Sequence, residues 1–517
     1  MDIPSLFMIP SAVSSGKVHS VFPNSTDADF DFNRDSDATR VNSQGLIERV
    51  GFYGSELITN GGFDTDSNWT KGTGWTIANG KATQSGGTGQ LSQSISISTG
   101  VVCKFTFTAT IQSGTLRISA GVSAPVQDFT ESGTHTFNLA FAGNTVLYFL
   151  GTSSSFSGSI DSISIKEITG DRARLNYEIE GGLVNTKPSL LLEPQSTNSF
   201  PNSEDYTVFT SASAGTGTNP IITSNYSISP DGTKNADRIQ FNRGSGTSGA
   251  DTSYITKSLS LGTIDATLSI YLKTNDGTTK DVTLRLGAAL FDYDVTVTSE
   301  WQRFTLSGNT NVDRIQIILY GNKNSQTADL SCFGTQVESL TYATSYIPTN
   351  GSVQSRANET CNGAGTSSIL PSEEGILYAE IAALVTGGEN RVITISDGSY
   401  NNSSRIQLYT NTNEIEMRTV VGGAIQALER VAISNTLDFN KIAYKYKAND
   451  FQLYVNGSKL RFDTNGSVSA TGTYNTINFD DGGGNADFYG KVRDIRVYNT
   501  KEMTDSEVDI LLTKITS

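Results

Sequence analysis

The run Phe488-Tyr489-Gly490-Lys491-Val492-Arg493-Asp494-Ile495-Arg496-Val497-Tyr498, followed by Met503-Thr504-Asp505-Ser506-Glu507-Val508, is where the fold of this chain is most legible. The first part reads as a strand. In the second, Thr504 and Glu507 are spaced as a capping box, which starts a short final helix with Val508, Leu511 and Leu512 on one side. Upstream lie further strand runs: Gly375-Ile376-Leu377-Tyr378-Ala379-Glu380-Ile381, Arg391-Val392-Ile393-Thr394-Ile395, Arg405-Ile406-Gln407-Leu408-Tyr409, and Phe451-Gln452-Leu453-Tyr454-Val455 entering an Asn456-Gly457 turn. Residues 372–517 are therefore expected to form a sandwich. Residues 349–371, rich in Gly, Ser, Asn and Thr, read as a linker into it.

Two earlier stretches follow the same plan. Residues 54–167 carry alternating runs such as Leu91-Ser92-Gln93-Ser94-Ile95, Lys104-Phe105-Thr106-Phe107-Thr108 and Ser159-Ile160-Asp161-Ser162-Ile163-Ser164-Ile165. Residues 201–348 repeat the pattern with Ala266-Thr267-Leu268-Ser269-Ile270-Tyr271-Leu272 and Arg314-Ile315-Gln316-Ile317-Ile318-Leu319-Tyr320. Period-two alternation over short, closely spaced segments marks half-buried antiparallel sheets. The fold class expected is all-β: tandem antiparallel β-sandwiches.

Composition agrees and narrows the function. The chain has 517 residues, 50 of them Gly, with 36% hydrophobic and 17% charged residues, which favours several small cores joined by many turns. A net charge of −15 repels phosphate backbones and anionic lipid, so nucleic acid is a poor partner. No long apolar run offers membrane insertion. The cysteines, Cys103, Cys332 and Cys361, are far apart with no metal-ligand spacing, so neither a zinc site nor a disulfide framework is expected. Met1-Asp2-Ile3-Pro4 lacks the basic start of a signal peptide, and folding in a reducing cytoplasm is expected.

Several of these segments resemble known families. The opening and closing strands of 54–167 resemble jelly-roll carbohydrate-binding modules, as does the plan of 201–348. The ending Gly490-x-x-x-x-Ile495-x-Val497-Tyr498 plus helix resembles the concanavalin A-like or laminin-G-like lectin fold. Between modules, Phe30-Asp31-Phe32-Asn33-Arg34, Arg172-Ala173-Arg174-Leu175-Asn176-Tyr177, Pro188-Ser189-Leu190-Leu191-Leu192-Glu193-Pro194, and Ala343-Thr344-Ser345-Tyr346-Ile347-Pro348 resemble a motif set of phage and prophage virion structural proteins, of the tail-fibre or head-fibre kind. The resemblance implies an N-terminal attachment segment, 1–53 with 168–200, into which the 54–167 jelly roll is inserted. It also implies contact with other virion proteins and a homo-oligomer, often a trimer. Arg34, Arg40, Arg172 and Arg174 are expected to make salt bridges between segments.

Chemistry is sparse. With only His19 and His135 there is little material for a nucleophilic triad, and no phosphate loop appears, so the chain is not expected to be an enzyme. Glu414 and Glu416 share a strand face but lack the third acid of a glucanase motif and read as an exposed polar face. Calcium is the one candidate cofactor, at Asp64, Asp66 and Asn68, whose oxygens alternate along one loop, while Asp480-Asp481 lies in a second acidic loop. Sugar binding asks for an aromatic face flanked by amides, and Trp69, Trp75 and Tyr400 with Asn401 and Asn402 are the candidates. The leading expectation is a displayed virion appendage that contacts host-surface glycan. The rivals are a capsid decoration protein and a polysaccharide-degrading tail enzyme.

Overall fold

The computed structural model describes residues 3–517 apart from 35, 123–125, 170–171, 181, 288–291 and 388–390. Antiparallel strands dominate, and Asp505–Thr516 is the one α-helix among the described residues. The chain is all-β, and it divides into two compact units, 51–170 and 1–50 with 171–517.

In the 51–170 unit, Val102–Ala120 pairs with Val146–Thr169 from Cys103↔Glu167 to Ala120↔Leu147, with shifts of register that bend both strands. The opening strand Phe52–Glu56 lies against the end of the closing one, Thr169↔Phe52 and Lys166↔Glu56. The Glu56 carboxylate fastens them by accepting from the Ile165 amide at 2.7 Å and the Ser164 hydroxyl at 2.6 Å. Alternate residues fill one core, including Phe105, Phe107, Phe149, Trp69 and Trp75.

The second unit holds two sandwiches. In residues 201–348, the sheet containing Thr263–Thr274 and Thr327–Glu338 and the sheet containing Lys280–Leu286 and Arg314–Tyr320 share a core built from Leu268, Ile270, Leu284, Ile317 and their neighbours. In the C-terminal sandwich, a long sheet contains Glu374–Ala383, Asn440–Lys447, Phe451–Val455 and Gly490–Asn499, while a five-stranded sheet runs from Ala424–Ala432 to Thr476–Asn478. The final helix begins on the capping box of Thr504 and Glu507, and it buries Val508, Leu511 and Leu512 against Ile376, Tyr378, Ala443, Tyr454 and Tyr498.

The segments expected as an attachment unit, 1–53 with 168–200, and as a linker, 349–371, supply strands that pair with those of the C-terminal sandwich or with each other beside it. Leu6–Met8 and Ser189–Leu192 both pair with Gly490–Asn499, Phe7↔Arg496 and Leu191↔Lys491. Phe30–Asn33 pairs with Thr360–Asn362, and Ser196–Asn198 with Gln354–Arg356. Leu6, Met8, Phe30, Phe32, Leu190, Leu192, Cys361 and Leu370 all enter the core of the C-terminal sandwich. The polar composition of 349–371 concealed the few apolar residues that anchor it.

A buried ionic cluster ties these segments together. Glu359 accepts from Arg34 Nη1 and from Arg174 Nε, each at 2.9 Å, and its second oxygen accepts from Arg174 Nη2 and from the Glu193 amide. Glu193 lies 2.7 Å from Arg174 Nη1 and 3.0 Å from Arg356 Nη1, and it accepts the Ser345 amide and hydroxyl. The three guanidinium groups and Glu359 are fully sequestered from solvent. Burial alone would raise the Glu193 pKa, but Arg356, Arg174 and Ser345 outweigh it and hold the group at about 2. Arg34 and Arg174 thus bridge segments as expected. Arg40 pairs instead with nearby Glu48 across a short hairpin.

Candidate functional site

The outer face of the five-stranded C-terminal sheet carries a dense set of charged, amide and aromatic side chains, several of them buried. Alternation sends Ile393, Ile395, Ile406, Leu408, Ile415 and Met417 into the core. Their neighbours on the same strands, Thr394, Arg405, Gln407, Tyr409, Glu416 and Arg418, face the other way. Register then lines up two rows, Val392–Gln407–Glu416–Arg430 and Thr394–Arg405–Arg418–Leu428. The turn between Arg391–Ser396 and Ser403–Tyr409 carries Tyr400 over the end of this face.

Glu416 is buried at the centre. One of its oxygens accepts from Tyr409 Oη at 2.9 Å and Arg430 Nη2 at 2.8 Å, while Arg418 Nη2 lies 2.5 Å from the other. The Arg430 guanidinium sits 3.7 Å from the centre of the Tyr409 ring. Burial raises the Tyr409 pKa, and Glu416 raises it further. Arg418 Nη1 donates to Tyr400 Oη at 3.1 Å, and the Tyr400 ring lies 4.9 Å from the Arg405 guanidinium. Arg405 is 4% exposed and directly opposite Arg418, a like-charge pair that disfavours the sheet. Burial lowers its pKa, and Arg418 lowers it further.

This corrects the expectation of an exposed polar strand at Glu414 and Glu416, because Glu416 is the buried hub of an arginine–tyrosine network. Tyr400 is at the site. Asn401 is exposed beside it, while Asn402 is occupied in holding the turn, accepting from the Gly422 amide at 2.9 Å and donating to Asp397 at 2.8 Å. Trp69 and Trp75 are a second correction. Both are buried in the 51–170 core, and their indole nitrogens donate to the Asn60 and Gly89 carbonyls, so neither presents a ring face to a sugar.

The loop expected to hold calcium is also differently used. Asp66 holds Lys71 at 2.5 and 2.6 Å, Asn68 accepts from Ser67, and Asn60 Nδ2 occupies the Thr65 and Ser67 carbonyls. Asp64 lies exposed on the same loop. Among the described residues, no group of three or more His, Cys, Asp or Glu is placed to hold a metal ion. Cys103, Cys332 and Cys361 are all buried free thiols, and burial pushes the Cys103 thiol up to about 12. Sequence reasoning missed Arg405, Gln407, Tyr409, Arg418 and Arg430. Their period-two spacing was visible, but which face was covered was not.

Residues 379–509 match the family model described as the concanavalin A-like lectin/glucanases superfamily. That span covers most of the C-terminal sandwich, which is similar to the domains of this superfamily. No curated protein matches the chain. Among solved structures, the CBM40 domain of the Ruminococcus gnavus IT-sialidase bound to α2,6-sialyllactose is 17% identical, covering 30% of this chain and 88% of its own, with a TM-score of 0.24. Sheep galectin-11 in complex with glycerol is 12% identical over 24% of this chain and 86% of its own, with a TM-score of 0.17. Trypanosoma rangeli sialidase is 10% identical over 93% of this chain and 97% of its own, with a TM-score of 0.23. At such scores nothing functional rests on these likenesses.

Proposed function

We propose that the chain is a non-catalytic glycan-binding protein of a bacteriophage virion, a displayed appendage whose C-terminal sandwich touches host-surface sugar. The observation that carries the binding role is the outer face of the five-stranded sheet, where Tyr400, Tyr409, Arg405, Arg418 and Gln407 converge in a concanavalin A-like domain. Aromatic rings beside fixed planar donors are the chemistry that holds a pyranose by stacking and hydrogen bonding. The virion assignment is supported by the resemblance of the inter-module segments to phage structural proteins, and with it come other virion proteins and further copies of the chain as partners.

A glycan array probed with the whole chain tests the binding role. Binding that falls about fivefold in Tyr400→Ala but not in Trp69→Phe is the expected result, since a stacked ring contributes on the order of 1 kcal/mol. An array with no binder overturns it. Immunogold labelling of particles tests the location, and absence of label from purified virions would sink the virion reading.

A further inference from the structure

Arg405 is a buried cation with no anion of its own. It is 4% exposed, yet among the described residues it donates no hydrogen bond, and its Nε is sealed from solvent without a partner. Gln407, two residues along the same strand face and 3% exposed, likewise leaves its side-chain oxygen buried and unbonded. The nearest acid, Glu416, is already committed to Tyr409, Arg430 and Arg418. A guanidinium presents five donors in a flat fork, and burying it unpaired costs stability. Its direct cross-strand neighbour is another arginine, which adds repulsion. The face carries Arg405, Arg418 and Arg430 against Glu414 and Glu416, a net positive patch on a chain whose net charge is −15.

We infer that this face takes a carboxylate-bearing sugar, its carboxylate received by the terminal nitrogens of the Arg405 fork and a hydroxyl by the amide nitrogen of Gln407. The inference rests on the glycan-binding reading above and specifies the ligand class. Tyr400 covers one side of the Arg405 guanidinium, so the carboxylate meets the group along its edge, the geometry in which arginine bonds carboxylates through two parallel hydrogen bonds. A neutral sugar would leave the cation unpaired. The carboxylate offsets the Arg405–Arg418 repulsion and pairs with the terminal Nη1 and Nη2 donors, which no described residue bonds, while Nε stays sealed inside the protein.

The test compares galacturonate, glucuronate and sialylated oligosaccharides, each beside its carboxyl methyl ester, titrated into the whole chain by calorimetry. At least one acid is expected to bind at least about tenfold more tightly than its ester, the scale of one charge-assisted bidentate pair. Arg405→Met is expected to abolish that preference. In the unliganded protein the same variant is expected to raise the melting temperature, because it removes an unpaired buried charge. Equal binding of acids and esters overturns the carboxylate assignment while leaving glycan binding intact. A lowered melting temperature in Arg405→Met also overturns it, since the arginine would then be serving the fold. Binding of neither form of any sugar in the panel, together with an empty array, removes both readings.

Discussion

Replacing Glu359 by glutamine should unlock the buried cluster without changing its volume. The carboxylate receives Arg34, two nitrogens of Arg174 and the Glu193 amide. Glutamine keeps one oxygen and turns an amide group toward guanidinium donors. Glu193 would be left as the carboxylate paired with Arg174 and Arg356, and Arg34 would lose its buried carboxylate partner. Breaking a buried pair while leaving its partner charged costs about 3–5 kcal/mol. For a unit of roughly 400 residues, with an unfolding entropy of about 2.1 cal/mol/K per residue, that lowers the melting temperature by about 4–6 °C. Scanning calorimetry should show the transition of the 1–50 and 171–517 unit move by that amount while the transition of 51–170 stays. Asp128→Asn supplies the contrast, because Arg117 and Asp128 form a surface pair with side chains 36% and 40% exposed, for which less than about 1 kcal/mol is expected. If Glu359→Gln also costs less than about 1 kcal/mol, the ionic cluster does not hold these segments together, and their apolar anchors alone must do so.

Acid should act on the same cluster. The Glu193 pKa is depressed to about 2, so its stabilisation is complete above its ordinary value of 4.5 and is lost as pH falls toward 2, at most about 3 kcal/mol. Urea midpoints at pH 6 and pH 3 should differ accordingly, and a flat profile would contradict the assignment. Glu204 has the opposite sign. Burial first, and then Asp231, raise it to about 7, so its contribution is largest below pH 4.5 and fades as pH rises through 7; Glu204→Gln should flatten the stability profile between pH 5 and pH 8. Leu512→Ala empties a fully buried position under the final helix and should cost about 2–5 kcal/mol by urea denaturation, whereas a cost below about 1 kcal/mol would mean that the helix is not docked as described.

Much of this architecture was legible because its causes are local. Alternation along Lys104–Thr108 or Arg314–Tyr320 records which side chains face a core, and the Thr504–Glu507 box records where a helix starts, since both involve residues within one turn or one pleat of each other. The site was only half legible. Tyr400 stood out as an aromatic among asparagines, and it does lie over the outer face. Trp69 and Trp75 stood out for the same reason and are core residues, because a tryptophan's chemistry does not say which way its strand faces.

The tertiary structure alone decided the rest. Whether Glu416 is solvated or buried depends on Arg430 and Tyr409 reaching it across strands. Whether 349–371 is a linker depends on Arg356 and Glu359 meeting Glu193, Arg174 and Arg34, in one case across 325 residues of sequence. An arginine carries the same charge in solvent and in a core. Only the fold settles which acids come within hydrogen-bond reach of it, as for Arg174, and which arginine, as with Arg405, is left waiting for one.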